Sequence, residues 1–269
     1  MSRITKKLFK FSVITLFAIM ILLSGCEYLN KNRQTVSQLP ELLEEIAYDA
    51  GSSWDYRLYL REEDQYISYL VLTNNYNGNC LLLRENLIDD DNIYNLPGDR
   101  AAYYENSEID RYLNEVFIVS LPNELQQLIV DSEIIITARE SLGVGGEETL
   151  NIQRKIFLLS YTELTTECSR TNLKEGQTLS YFDGKEKRIA YYQNGIPGSW
   201  WLRTANTSGR AVVCGVSAEG VVGMGGFYDP NAEKGNLNGV RPALCLPRDI
   251  EIYQSAEDGR FYIRENAAT

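Results

Sequence analysis

The chain has 269 residues, 44% of them hydrophobic and 23% charged, no histidine, and a formal charge of −11. This is the composition of a globular protein long enough for one large domain or two small ones, and its acidity repels nucleic acid, so no nucleic-acid partner is expected. Without histidine, Ser-His-Asp and Cys-His nucleophilic sites, histidine general bases and imidazole-bound zinc are excluded; carboxylate chemistry, cysteine chemistry or binding without chemistry remain.

Residues 1–25 read as an export signal. Arg3, Lys6, Lys7 and Lys10 form a basic start, and "FSVITLFAIMILL" from Phe11 to Leu23 is an apolar run too short for the roughly 20 residues of a bilayer-spanning helix. The following "LSGC" resembles the lipobox of bacterial lipoproteins, which implies cleavage before Cys26 and lipidation of its sulfur. Cleavage would remove four basic and no acidic side chains, leaving the mature chain still more acidic. The expected location is the extracytoplasmic face of the cell membrane, with the lipid anchor as the membrane contact. Residues 26–40 are polar and read as a lipidated tether.

A single domain is expected over residues 41–269. A short amphipathic helix follows Pro40, presenting Leu42, Leu43, Ile46 and Ala47. "YISYLVLT" and "NCLLLR" read as strands joined at Asn77-Gly78, a strong hairpin signal. "DDDN" at Asp89 to Asn92 lacks the spacing of a calcium-binding EF-hand and reads as a solvated acidic loop. Helical periodicity starts at Ser107, with Ile109, Leu113, Val116 and Phe117 on one side and Asp110 completing a capping box. A second helix near Pro122 presents Leu125, Leu128 and Ile129.

"SEIIITARES" and "KIFLLS" read as strands. The "GVGG" at 143–146 lacks the Gly-Lys-Ser/Thr of a phosphate loop and reads as a turn, while Ser160 and Glu163 form a capping box opening a helix toward Cys168. Beyond Gly176, glycines and aromatics rise and short strands alternate with long loops. "RAVVCGVSAEGVVG" reads as a hairpin turning near Gly220, and "GVRPALCLP" and "GRFYIRE" as late strands. The expected fold class is therefore α+β, with helices first and a loop-rich antiparallel C-terminal sheet.

Cys80, Cys168, Cys214 and Cys245 allow three pairings, and their apolar settings favour buried thiols over disulfides. In "SWWLRT", strand alternation sets Trp200 with Leu202 toward the core and Trp201 with Arg203 on the other face, where the guanidinium stacks on the indole as a structural pair or both meet a ligand. Alternation also separates Arg241 from Val240 and Pro242; an arginine in so apolar a strand reads as paired and structural, the alternative being a two-arginine anion clamp with Arg203. The loop "GGFYDPNAEKGNLNG" is the best candidate surface: Tyr228, Asp229, Asn236 and Asn238 are its binding candidates. No cofactor is expected; calcium on Asp229, Asn231 and Glu233 is the competing reading, against a solvated loop held by its own turns.

The blocks "CLLLRENLIDD", "NSEIDRYLNEVF", "KIFLLSYTEL", "SWWLRT", "CGVSAEGVVG" and "GVRPALCLP", in this order, resemble a bacterial domain of unknown function from secreted and membrane-attached proteins, over about Tyr66 to Pro247. The last third of that domain is similar to the C-type-lectin-like fold shared with formylglycine-generating enzymes. The resemblance implies a single C-type-lectin-like binding scaffold and no activity. The chain has neither the Glu-Pro-Asn, Gln-Pro-Asp and Trp-Asn-Asp elements of calcium-dependent lectins nor the close catalytic cysteine pair of the enzymes. The leading expectation is a lipid-anchored extracytoplasmic module that binds a glycan or a surface protein. The alternatives are an enzyme on the same scaffold, using cysteine or carboxylate chemistry on envelope polymers, and a structural envelope protein.

Overall fold

Arg57–Glu62 (β1) buries Leu58 and Leu60 and turns Arg61 to solvent, the period of two that a half-covered strand requires. Residues 39–88, 93–96, 101–165, 173–209, 211–223 and 238–264 are described, in a computed structural model. Gln65–Tyr76 (β2) is buried without interruption from Tyr69 to Thr73, and Asn79–Arg84 (β3) from Cys80 to Arg84. Continuous burial means that the sheet is covered on both faces there. Between them Asn77 (φ 52°) and Gly78 (φ 83°) are both left-handed, the geometry that an Asn-Gly hairpin turn requires.

The remaining strands divide into a main sheet and three small ones. Ser132–Thr137 (β4) pairs with Thr149–Arg154 (β5) as a separate ribbon. Ile156–Phe157 (β6) joins the main sheet, and Ala190–Tyr191 (β7) pairs with Pro197–Gly198 (β8). Trp200–Ala205 (β9), Val213–Val216 (β10) and Val222–Gly223 (β11) form a three-stranded antiparallel sheet. Ala243–Leu246 (β12), Ile252–Gln254 (β13) and Phe261–Ile263 (β14) return to the main sheet, whose order is β13-β14-β1-β2-β3-β12-β6. Only β1 and β14 run parallel; every other pair in that sheet is antiparallel.

Helices are short. Glu108–Arg111 (α1) continues through a π-helical stretch, Tyr112–Phe117, into Ile118–Ser120 (α2); Asn123–Leu128 (α3) and Tyr161–Leu164 (α4) complete them. Ile109, Leu113, Phe117 and Leu125 are buried, but Val116, expected on the same side, is exposed: it lies in the π-helical stretch, where the helical period changes. Asn114 pins the π-helical stretch to β6: its side chain donates to the Ile156 carbonyl at 2.9 Å and accepts from the Ile156 N–H at 3.2 Å.

This architecture corrects the expected one. The described chain is mostly β around a large mixed sheet, so a helices-first α+β domain with a lectin-like plan is not what forms. Three long strands precede α1, and apart from the small β9–β11 sheet and the β7–β8 ribbon the late strands build no separate C-terminal sheet among the described residues. Instead β12 inserts between β3 and β6, and β14 lies beside β1. The segment after Pro40 coils as a 3-10 turn, Leu43–Ile46, and the helix opened by Ser160 stops at Leu164, with Thr165 extended. The signal segment with Cys26, the acidic run 89–92, Cys168 and most of the loop after Gly223 lie outside the described residues.

Candidate functional site

Strand β9 is buried along its whole length, so both tryptophans lie in the core: Trp200 is 0% and Trp201 1% exposed. The surface expected for Trp201 and Arg203 does not exist. Its loss has a local cause. Both faces of β9 are covered, so alternation sends Trp201 into a second packed layer and not to solvent; beyond it the strand bulges around Arg203, since Trp201 pairs with Gly215 and Ala205 with Val213. Trp201 packs against Tyr94, with ring centroids 5.4 Å apart. The arginine above an indole is Arg241, 5.0 Å from the Trp200 ring; Arg203 lies 5.9 Å from that of Phe157.

Arg203 makes five hydrogen bonds, as many as a guanidinium has N–H groups. Nε donates to the Ile135 carbonyl (2.9 Å); Nη1 donates to the Leu158 carbonyl and Glu163 Oε2 (each 2.8 Å); Nη2 donates to Glu163 Oε1 (2.8 Å) and the Glu175 carbonyl (2.9 Å). Arg203 and Glu163 are both fully buried. The same carboxylate caps α4, accepting from the Ser160 N–H at 2.8 Å, and Tyr76 donates its hydroxyl to Glu163 Oε1 at 2.7 Å. Gly176 (φ +111°) closes over it, where an added Cβ would come within 2.9 Å of Glu163 Oε1.

A second buried acid adjoins this group. Glu175 accepts hydrogen bonds from Thr137 Oγ1 at 2.6 Å and from Thr204 Oγ1. Burial holds its carboxyl above the ordinary range, against the opposing pull of Arg203 and the two threonine hydroxyls. Burial likewise pushes the Tyr76 hydroxyl upward, reinforced by the Glu163 charge. For Arg203, burial opposes the charge, but the Glu163 carboxylate, Tyr76 and Glu175 together outweigh it and hold the guanidinium firmly protonated.

Tyr76 connects this buried network to a groove of about 710 Å³. Thr73, Asn75, Asn77, Gln177, Thr178 and Ser180 line it with neutral donors and acceptors. Lys174, Asp49 and Glu133 are its charged members, and Asp49 is engaged by the Thr73 hydroxyl and the Asn74 N–H. The Tyr76 ring stacks on Phe157 at 5.8 Å with an interplanar angle of 21°, so ring and hydroxyl are both held from behind.

The other buried arginine is differently placed. Arg241 is 2% exposed; its Nε donates to the Arg84 carbonyl at 2.9 Å, and its Nη1 has no hydrogen-bond partner. Burial brings its guanidinium down to about 10, leaving it charged at neutral pH. The nearby Glu85 carboxylate is held by Arg57, at 2.8 Å through Nη2, and by the Ser68 hydroxyl at 2.6 Å. Arg203 and Arg241 share no hydrogen-bond partner, which removes the two-arginine clamp. Asn238 is 5% exposed, also with a side-chain nitrogen lacking a partner. Tyr228, Asp229, Asn231, Glu233 and Asn236 lie outside the described residues.

Cys80 and Cys245 are free thiols on paired strands, but Cys80 faces Leu246 and Cys245 faces Leu81, so their side chains leave opposite faces of the sheet. Burial pushes both thiols up to about 12, and Cys214 is buried as well. Among the described residues no group of three acidic or cysteine side chains is placed to hold a metal ion.

Sequence reasoning missed Tyr76, Glu175, Thr137 and Thr204. Glu163 was visible only as a cap residue; a carboxylate so close to "IFLLS" was the one available sign that it would be buried and need a cation. A family model described as a domain of unknown function, DUF6273, matches residues 77–248, close to two thirds of the chain. That span contains Arg203, Glu163, Glu175, Asn238 and Arg241 and starts one residue after Tyr76. No curated protein and no solved structure matches.

Proposed function

The chain belongs to the DUF6273 family, and from that premise we propose that it is a binding module held at the extracytoplasmic face of the membrane by a lipid on Cys26, taking a neutral, hydroxyl-rich glycan into the Tyr76 groove. The observation that carries the ligand class is the lining. Six uncharged amide and hydroxyl side chains surround one aromatic ring, and such a set exchanges hydrogen bonds with sugar hydroxyls while the ring offers a stacking surface. Rigid support of that ring by Phe157 and Glu163 lowers the ordering cost of binding. The basic start, the short apolar run and "LSGC" support the anchor. Cysteine chemistry gains nothing from Cys245, whose buried thiol is held in its protonated form.

The test is binding of the detergent-solubilised full chain to an array of neutral and acidic oligosaccharides. Retained binding is expected for neutral ligands only, with a loss of tenfold or more in Tyr76→Ala and threefold or more in Thr178→Val. Binding unchanged in both variants would move the site elsewhere. Exclusive capture of a protein partner would replace the glycan reading. Mass spectrometry of the mature N-terminus checks the anchor, which an unmodified Cys26 would remove.

A further inference from the structure

Three buried donor nitrogens without partners belong to residues that adjoin Trp200 along the chain or in space. Arg241 Nη1 belongs to the guanidinium lying over its ring, and Arg188 Nε belongs to the residue whose carbonyl accepts the Trp200 indole N–H at 3.0 Å. Asn238 Nδ2 immediately precedes Gly239, whose backbone pairs with Trp200. All three nitrogens are donors, and two of them sit on cationic side chains.

A buried donor is normally satisfied, and a buried cation is normally paired; a desolvated guanidinium with an empty N–H is stable only at a substantial cost. No carboxylate lies within ion-pair distance of Arg241 among the described residues, and Glu85 is already divided between Arg57 and Ser68. What this place lacks is a set of negatively charged oxygens. We propose that Arg241, Asn238 and Arg188 form a buried site for a small oxyanion, a carboxylate or phosphate group, packed beside Trp200. Arg241 supplies the charge and a planar fork suited to two oxygens, Asn238 a neutral amide donor, and Arg188 a further N–H. The site is independent of the Tyr76 groove and stands whether or not the groove binds a glycan.

The experiment is titration of the full chain in neutral detergent with inorganic phosphate or acetate, followed by calorimetry and tryptophan emission, with sodium chloride at matched ionic strength as the control. Saturable heat and a saturable emission change are expected for at least one of the two anions and not for chloride. Phosphate alone assigns a phosphorylated ligand, acetate alone a carboxylate, and response to both the shared oxyanion chemistry. Arg241→Lys, which keeps the charge and loses the fork, is expected to weaken binding at least tenfold. Asn238→Leu is expected to weaken it at least threefold, and Gln177→Ala in the groove to leave it unchanged. No saturation by either anion, an equal response to chloride, or wild-type affinity in both site variants overturns the proposal.

Discussion

Arg203 and Arg241 are both large, charged and sealed from water, yet their surroundings differ in kind. Around Arg203 the protein supplies three carbonyls and a bidentate carboxylate, so the cation is complete as folded. Around Arg241 it supplies one carbonyl and an indole face and leaves a donor empty. The first arrangement fixes elements in place: β9, β4 and α4 meet at a single guanidinium. The second leaves chemistry over. Burial alone therefore does not separate structure from function; the count of satisfied donors does.

Removing each arginine separates the two surroundings. Arg203→Met leaves Glu163 buried without its cation, and breaking such a pair costs about 3–5 kcal/mol. Arg241→Met leaves only the Arg84 carbonyl short of a donor, a loss of about 1–3 kcal/mol. Chemical denaturation of both variants measures the difference, and equal losses would dissolve the distinction. Tyr76→Phe removes one hydrogen bond to Glu163 and is expected to cost about 1 kcal/mol, because Arg203 still holds that carboxylate.

Glu175 makes the Arg203 side pH-dependent. Its folded carboxyl titrates above its unfolded value, so between the two the folded state binds more protons and stability falls as pH rises. Glu175→Gln has no proton to lose. The stability of this variant relative to the wild type should increase as pH is raised from about 4.5, near the unfolded carboxyl value, through the folded one. A difference that stays flat between pH 4 and 8 would place Glu175 outside the network's electrostatics.

Local signals were legible in the sequence. Asn77-Gly78 has the backbone its residue types favour, and Ser160 with Glu163 forms its capping box. Trp200 lies in the core with Leu202, as the apolar face suggested. Pairings between distant residues were not legible, because nothing in "GRFYIRE" specifies Leu58 opposite Phe261, or β12 between β3 and β6. Trp201 failed for a subtler reason: alternation tells which residues share a face, not whether that face is covered, and in β9 both are. The Arg203 network was hidden because Glu163 and Glu175 become neighbours only when the segments after β6 fold back on β9. Arg241 and Asn238 were both named among the binding candidates, but the empty donors that distinguish them are a property of the packed molecule.

The parallel pairing of β1 with β14 sets a schedule as well as a shape. Synthesis delivers β1 long before β14, so this side of the sheet has no neighbour until the later strand has been made. Closing a contact that spans so much sequence is slow and comes late.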